Sequence, residues 1–339
     1  MSSPFLTAPG RRSGRRRLGA LLAILAGVAL VGAFVWLSLG VQGSSRRALY
    51  ESAAGVVSPA ATAAAPQASL GPLPARGPAG VSFRGGDAFG LRFKQPPRAG
   101  LVFDLASGRV LWRHEPLRRV PIASLTKIMT ALVVVDRTTS REHVKITAEA
   151  VDYVGQGVGL PKGKKVPIEG LMHGMLLASG NDAAKALAIH VGGDERRFVR
   201  LMNRRADSLG LRCTHYVSPD GLKPGNRSCA ADLAAMARLA MAEPRIRRVA
   251  KKPKASVPFP AKGGRLWVNS TNPLYRPRYP GTVGLKTGFT NPAGRCYVGV
   301  VRRGGRRLGV VLLHSPDPSR QARQLFNAAF RRLGRGHAT

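Results

Sequence analysis

Between residues 122 and 242 the apolar positions recur with a helical period in five stretches: 122–135, 168–177, 182–192, 194–208 and 230–242. In the first of them Ile128, Met129, Leu132 and Val133 set the spacing. Further along, the pattern changes. Cys296–Val301 and Arg307–Leu313 are apolar runs of strand length, broken by the hairpin turn Arg302-Arg-Gly-Gly-Arg306. Gly281–Thr290 reads as a strand edge, in which Gly288 leaves room for a backbone or ligand to approach. Strand-like runs therefore flank the helices on both sides. This order predicts an α/β (α+β) domain: a sheet built from both ends of the region, beside a mostly helical lobe, with a cleft at their junction. About 220 residues are available for it, enough for a large apolar interior.

The N-terminal part follows other rules. Arg11–Arg17 is a cationic cluster before Leu18–Val41, an apolar stretch interrupted only by glycines and Ser38. Its length suits a bilayer span, and no A-x-A cleavage site follows at Gln42–Arg47. An uncleaved signal-anchor is expected, a cleaved signal peptide being the alternative. The arginines would stay in the cytoplasm and the rest would cross, which makes the expected location a cell membrane with an extracytoplasmic domain. Residues 42–92 are rich in Ala, Pro and Gly without periodicity and read as a linker. The expected organisation is a cytoplasmic tail (1–17), a span (18–41), the linker (42–92), a folded domain (93–316) and a basic C-terminal helix or tail (317–339).

A formal net charge of +37 raises the question of polyanionic partners. Arg245–Lys254, Arg302–Arg307 and Arg331–Arg335 lack interleaved aromatics, and the apolar span would place them outside the cell. No nucleic-acid partner is expected. Anionic lipid headgroups or wall polymers fit better, beside the plainer account of a solvated basic surface. The three cysteines leave two possibilities for Cys213 and Cys229: an exported domain permits a disulfide, but spacing does not fix its geometry. Cys296 reads as a small hydrophobe on a strand. The seven histidines are scattered, and neither metal nor cofactor is expected.

The candidate chemistry lies in three short motifs in order: Ser124-Leu-Thr-Lys127, Ser179-Gly-Asn181 and Lys286-Thr-Gly288. In Pro121–Ala131 the serine would sit in the first turn of a helix with the lysine on the same face, so hydroxyl and amine can meet. A helix N-cap with a solvated lysine is the bland alternative. Ser179 and Asn181 stand in a turn between two helices, where capping alone would also account for them. Lys286 could be a surface lysine beside a turn glycine.

Taken together, S-x-x-K, S-x-N and K-T-G resemble the active-site serine penicillin-recognising enzymes. Over roughly residues 97 to 315 the chain is similar to the D-alanyl-D-alanine carboxypeptidases of serine peptidase family S11. Leu101–Leu111, with a Ser107-Gly108 turn, resembles that family's opening hairpin, Leu209–Leu222 its central loop and Ser228–Leu233 the helix start that follows. The resemblance implies a β-lactamase/transpeptidase-like fold with an antiparallel sheet. It implies peptidoglycan stem peptides as substrate and β-lactams as inhibitors. It assigns Ser124 as nucleophile, Lys127 as base, Ser179 as proton relay and Asn181 as orienter of the substrate amide. Lys286 and Thr287 would meet the terminal carboxylate, with Gly288 beside them. The N–H groups of Ser124 and Phe289 would hold the oxyanion. Phe289 stands where some relatives carry histidine, and no β-rich second domain follows. A class A β-lactamase is the alternative, but it needs a deacylating glutamate and none occurs between Glu195 and Glu243. A wall-binding protein without catalysis is the other.

Overall fold

The computed structural model describes residues 80–261 and 263–335. The span 18–41 and the linker up to residue 79 lie outside the described residues. Among the described residues no helix is long and apolar enough to cross a membrane.

The chain opens with strands β1 (Ala99–Asp104), β2 (Val110–His114) and β3 (Val120–Pro121), then a 3-10 turn, Ala123–Thr126, leading into α1 (Lys127–Val135). There follow β4 (His143–Lys145), α2 (Ala148–Val151), β5 (Lys165–Pro167), α3 (Ile168–Leu176), α4 (Asn181–Gly192) and α5 (Glu195–Ser208). The central part ends with β6 (Arg227–Ser228), α6 (Ala230–Ala242), α7 (Pro244–Ala250), β7 (Lys254–Pro258) and β8 (Arg265–Asn269). The last elements are β9 (Thr282–Thr290), β10 (Gly294–Arg303), β11 (Arg306–Leu313) and α8 (Pro318–Arg335).

The main sheet has the order β2-β1-β11-β10-β9, antiparallel throughout, so the two chain ends meet at the β1–β11 pair. Leu101 faces Val311 across that pair, and Val298 faces Val311 from the other side. Both faces of the sheet are covered, which is why these strands read as unbroken apolar runs rather than alternating ones. Leu101, Phe103, Val298 and Val311 pack with the helical lobe; Val102, Tyr297, Val310 and Leu312 pack on the opposite side. The cover on that second side is α8, through Ala322, Leu325, Phe326 and Ala329.

Two boundaries differ from the sequence reading. The segment from residue 317, read as a basic helix or tail after the domain, is a helix, but one whose apolar stripe packs into the domain and closes one face of the sheet. Its arginines had masked that stripe. The last residues of the expected linker are also packed: Val81 and Phe83 are buried, Ser82 N donates to the Gly108 carbonyl, the Ser82 carbonyl accepts from Val110 N, and Ala88 N donates to the Leu111 carbonyl. A lone apolar pair in a Gly-rich stretch has no period to reveal it.

Cys213 and Cys229 form a disulfide with Cα atoms 5.5 Å apart, closing the loop between α5 and α6. Asp232 braces that loop, its carboxylate accepting from Cys213 N (2.8 Å) and Thr214 Oγ1 (2.7 Å). These three side chains have a metal-ligand composition, but the two sulfurs are joined to each other.

Candidate active site

The three motifs converge on one cleft. Ser124 sits in the 3-10 turn before α1, and no side chain caps either element. Lys127, fully buried, places Nζ 2.9 Å from Ser124 Oγ, 2.7 Å from Asn181 Oδ1 and 2.8 Å from the Asp220 carbonyl. Burial pushes this amine down from 10.5 to about 8, against the opposing pull of the Asp220 and Asp182 carboxylates. The unprotonated fraction at pH 7 is therefore about one tenth, roughly 300-fold more than for an ordinary lysine. A base must be unprotonated, so the rate of acylation is expected to rise with pH and level off above about 8. A rate profile with stopped-flow fluorescent penicillin checks this; a flat profile from pH 6 to 9 would contradict the assignment of Lys127 as base.

Ser179, in the turn between α3 and α4, has φ 63, a left-handed conformation that glycine usually supplies. This turns its hydroxyl onto Lys286 Nζ at 3.0 Å. Lys286 also donates to the Thr287 carbonyl at 2.9 Å and is only 1% exposed. Burial drives its amine well below the ordinary range, and the nearby charge of Lys127 drives it further. Lys286 is thus no surface lysine. It lies beneath the cleft floor, whereas the hydroxyls of Thr287 and Thr271, 2.6 Å apart, line the cleft itself.

Asn181 is bonded at both ends of its amide. Oδ1 accepts from Lys127, and Nδ2 donates to the Val154 carbonyl at 2.7 Å. It positions the lysine and the loop carrying Val154 while also lining the cleft. Gly288 packs onto the nucleophile turn so tightly that an added Cβ would lie 2.8 Å from the Ile122 carbonyl and 3.1 Å from Ser124 N. The K-T-G strand edge and the Ser124 N–H therefore share one wall. Phe289 stands exposed at the rim. The cleft holds about 630 Å³ and is lined by Ser124, Ser179, Asn181, Thr287, Gly288 and Phe289 among others.

The same arrangement of serine, lysine and K-T-G edge characterises a known group. The sequence profile described as "D-alanyl-D-alanine carboxypeptidase", peptidase S11, matches residues 96–317. The chain belongs to this family. The D-alanyl-D-alanine carboxypeptidase DacB2 of Mycobacterium tuberculosis is 35% identical over 244 residues, 69% of this chain and 82% of that protein. A crystal structure of a D-alanyl-D-alanine carboxypeptidase from the same organism superposes with TM-score 0.67 at 33% identity, over 75% of this chain and 96% of that one. A mutant of a Streptomyces DD-transpeptidase superposes with TM-score 0.66 at 31% identity, over 71% of this chain and 100% of that one.

Several residues that build this S11 site carried no signal in the motifs. Asp182 is buried and accepts from the backbone N–H groups of Val158 (2.9 Å), Gly159 (2.9 Å), Leu160 (3.3 Å) and Ala183 (2.8 Å). It ties the loop over the cleft to the start of α4. Asp182→Ala leaves those N–H groups unpaired and is expected to cost about 3 kcal/mol, read as a lowered Tm; an unchanged Tm would contradict it. Asp220 contributes through its carbonyl, while its carboxylate is held by Ser218 Oγ at 2.7 Å and Leu222 N at 3.0 Å. Cys296 lies on β10 opposite Gly288, its thiol pushed up to about 11 by burial.

Proposed function

We propose that this chain is a membrane-tethered serine D,D-carboxypeptidase that removes the terminal D-alanine from peptidoglycan stem pentapeptides through an acyl-enzyme. One observation carries the reading: the three partners of Lys127 Nζ. Two of them, Asn181 Oδ1 and the Asp220 carbonyl, can only accept. A neutral amine has two N–H bonds and one lone pair. With both N–H bonds on the carbonyls, the lone pair is left for the Ser124 hydroxyl proton at 2.9 Å.

The reaction then follows from the wall of the cleft. Ser124 Oγ attacks the carbonyl of the penultimate D-alanine while Lys127 takes its proton. The N–H groups of Ser124 and Phe289 hold the oxyanion, in support of which stands the close approach of Gly288 to Ser124 N. Ser179, fixed by Lys286, relays a proton to the leaving D-alanine amine. The hydroxyls of Thr287 and Thr271 receive the terminal carboxylate, and the buried Lys286 amine holds the Thr287 carbonyl from below. Water, deprotonated by the regenerated base, releases the shortened peptide. A β-lactam enters by the same attack, but its opened ring remains attached and blocks the leaving-group side.

The tether reading is supported by the apolar run Leu18–Val41 and the arginines before it; by the positive-inside rule such a span would leave the domain extracytoplasmic. A second reading is transpeptidation, favoured by the likeness to the Streptomyces DD-transpeptidase; it uses the same acyl-enzyme with an amine in place of water. Mass spectrometry of a synthetic stem pentapeptide, incubated with the full chain alone and with an amine acceptor, tests both. Loss of one alanine, blocked by prior penicillin treatment, is expected. An unchanged peptide beside a penicillin-labelled protein would refute carboxypeptidase activity. Sustained nitrocefin turnover would assign a lactamase instead.

A further inference from the structure

The end of the sheet remote from the cleft carries two adjoining hollows, of about 850 Å³ and 620 Å³, that share Gly305 and Arg307 in the β10–β11 hairpin. Arg84, Arg109 and Arg332 line the first. Arg247, Arg248, Lys251 and Arg302 line the second. Against these cations stands one lining carboxylate, Asp104, already held by Ser107 N and Oγ. Among the described residues no carboxylate forms an ion pair with Arg84, Arg109, Arg248, Lys251 or Arg302. Such unneutralised charge repels itself and gains nothing for the fold; its energetic use is toward an external polyanion.

Two further observations choose the polyanion. Gly80, where the described domain begins, lies at this same end, its carbonyl accepting from Arg238 and its neighbour Ser82 bonded to Gly108 in the β1–β2 turn. The linker therefore joins the domain beside the hollows. The active cleft is at the opposite end: from Arg295 at its rim to Arg302, β10 spans about 24 Å at strand rise. On the tether reading, 38 residues (42–79) join span to domain, and their Ala/Pro/Gly-rich sequence carries no pattern that would orient it. Charge can supply the orientation.

We propose that this basic end seats the domain on an anionic phospholipid surface, turning the catalytic cleft away from the bilayer toward the wall. The inference rests on the tether reading above. A flat array of headgroup phosphates can address both hollows at once, and the span holds that array at high local concentration.

The full chain, reconstituted in bilayers of phosphatidylcholine with and without phosphatidylglycerol, provides the test. Amide exchange across Arg302–Arg307 should slow on the order of tenfold in the anionic bilayer only, and high salt should reverse it. Exchange at Thr287–Phe289 should stay the same. The variant Arg248→Gln/Lys251→Gln/Arg302→Gln should lose the protection while labelling normally with fluorescent penicillin. Equal exchange in both bilayers, or protection that survives in the triple variant, would overturn the proposal. Protection by a soluble polyphosphodiester with none from the anionic bilayer would also overturn it, in favour of a wall polymer. Penicillin labelling in the same samples keeps the enzyme reading separate, and recovery of the protein with the bilayers keeps the tether reading separate.

Discussion

Ser124→Ala should abolish covalent labelling by fluorescent penicillin, and Lys127→Met should slow it by on the order of a thousandfold. The two act as a unit, so the double variant should be no worse than Ser124→Ala alone. Persistent label on Ser124→Ala would remove the nucleophile assignment. The lysine also leaves a thermodynamic signature that a merely structural residue would not. Its folded-state pKa, about 8, lies below the ordinary 10.5, so the unfolded chain binds more protons between those values. The penalty on folding is full below pH 8, about 3 kcal/mol, and fades as pH rises toward 10.5. Stability conferred by neutralising Lys127 should therefore appear between pH 8 and 10.5. Denaturant unfolding of wild type against Lys127→Met isolates this term: the difference between them should shift across that window. A pH-independent difference would mean that Lys127 is solvated or permanently ionised.

Much of this site was legible in the sequence because each motif is anchored in an element with a strong local pattern. Ser124 and Lys127 are three residues apart at a helix start, so local geometry brings them together. The Ser179–Asn181 turn is bounded by two helices whose periods are plain, α3 and α4. The Lys286–Gly288 edge precedes two apolar runs that can only be strands buried on both faces. Contacts made by the backbone were not legible. The Asp220 carbonyl that fixes Lys127 carries no side-chain signal, and any residue type could have supplied it. Asp182 reads as one more helix-start acid, although its carboxylate gathers N–H groups from a loop more than twenty residues away. The disulfide needed a distance, not a spacing. The packing face of the C-terminal helix was hidden for a different reason: in sequence, Arg320, Arg323, Arg331 and Arg332 obscure the four buried residues of its apolar stripe.

Gly221→Ala should disable the enzyme without touching any group that does chemistry. Gly221 follows Asp220 at φ 88, a conformation disfavoured for any residue with a Cβ. The added carbon would lie 2.0 Å from the Ala123 carbonyl oxygen, 2.5 Å from its carbon and 2.9 Å from Thr126 Oγ1. Those atoms belong to the turn that presents Ser124, and Ala123 is itself held at φ 47. Neither side yields easily. The loop is closed by the disulfide and cross-braced by Asn226, which accepts from Val217 N at 3.1 Å and donates to Ser218 Oγ at 3.0 Å. Separating the two backbones draws the Asp220 carbonyl off Lys127 or shifts Ser124 against the oxyanion donors. A displacement of about 1 Å costs on the order of a hundredfold in rate, with about 3 kcal/mol of stability lost to the clash and the strained φ. Gly304→Ala is the control. Its φ is 50, but no atom lies within 4 Å of the new Cβ, so it should cost only about 1 kcal/mol and leave acylation unchanged. Calorimetry and penicillin acylation on both variants decide the matter: a folded Gly221→Ala that acylates at the wild-type rate would show that the central loop does not hold the nucleophile in register.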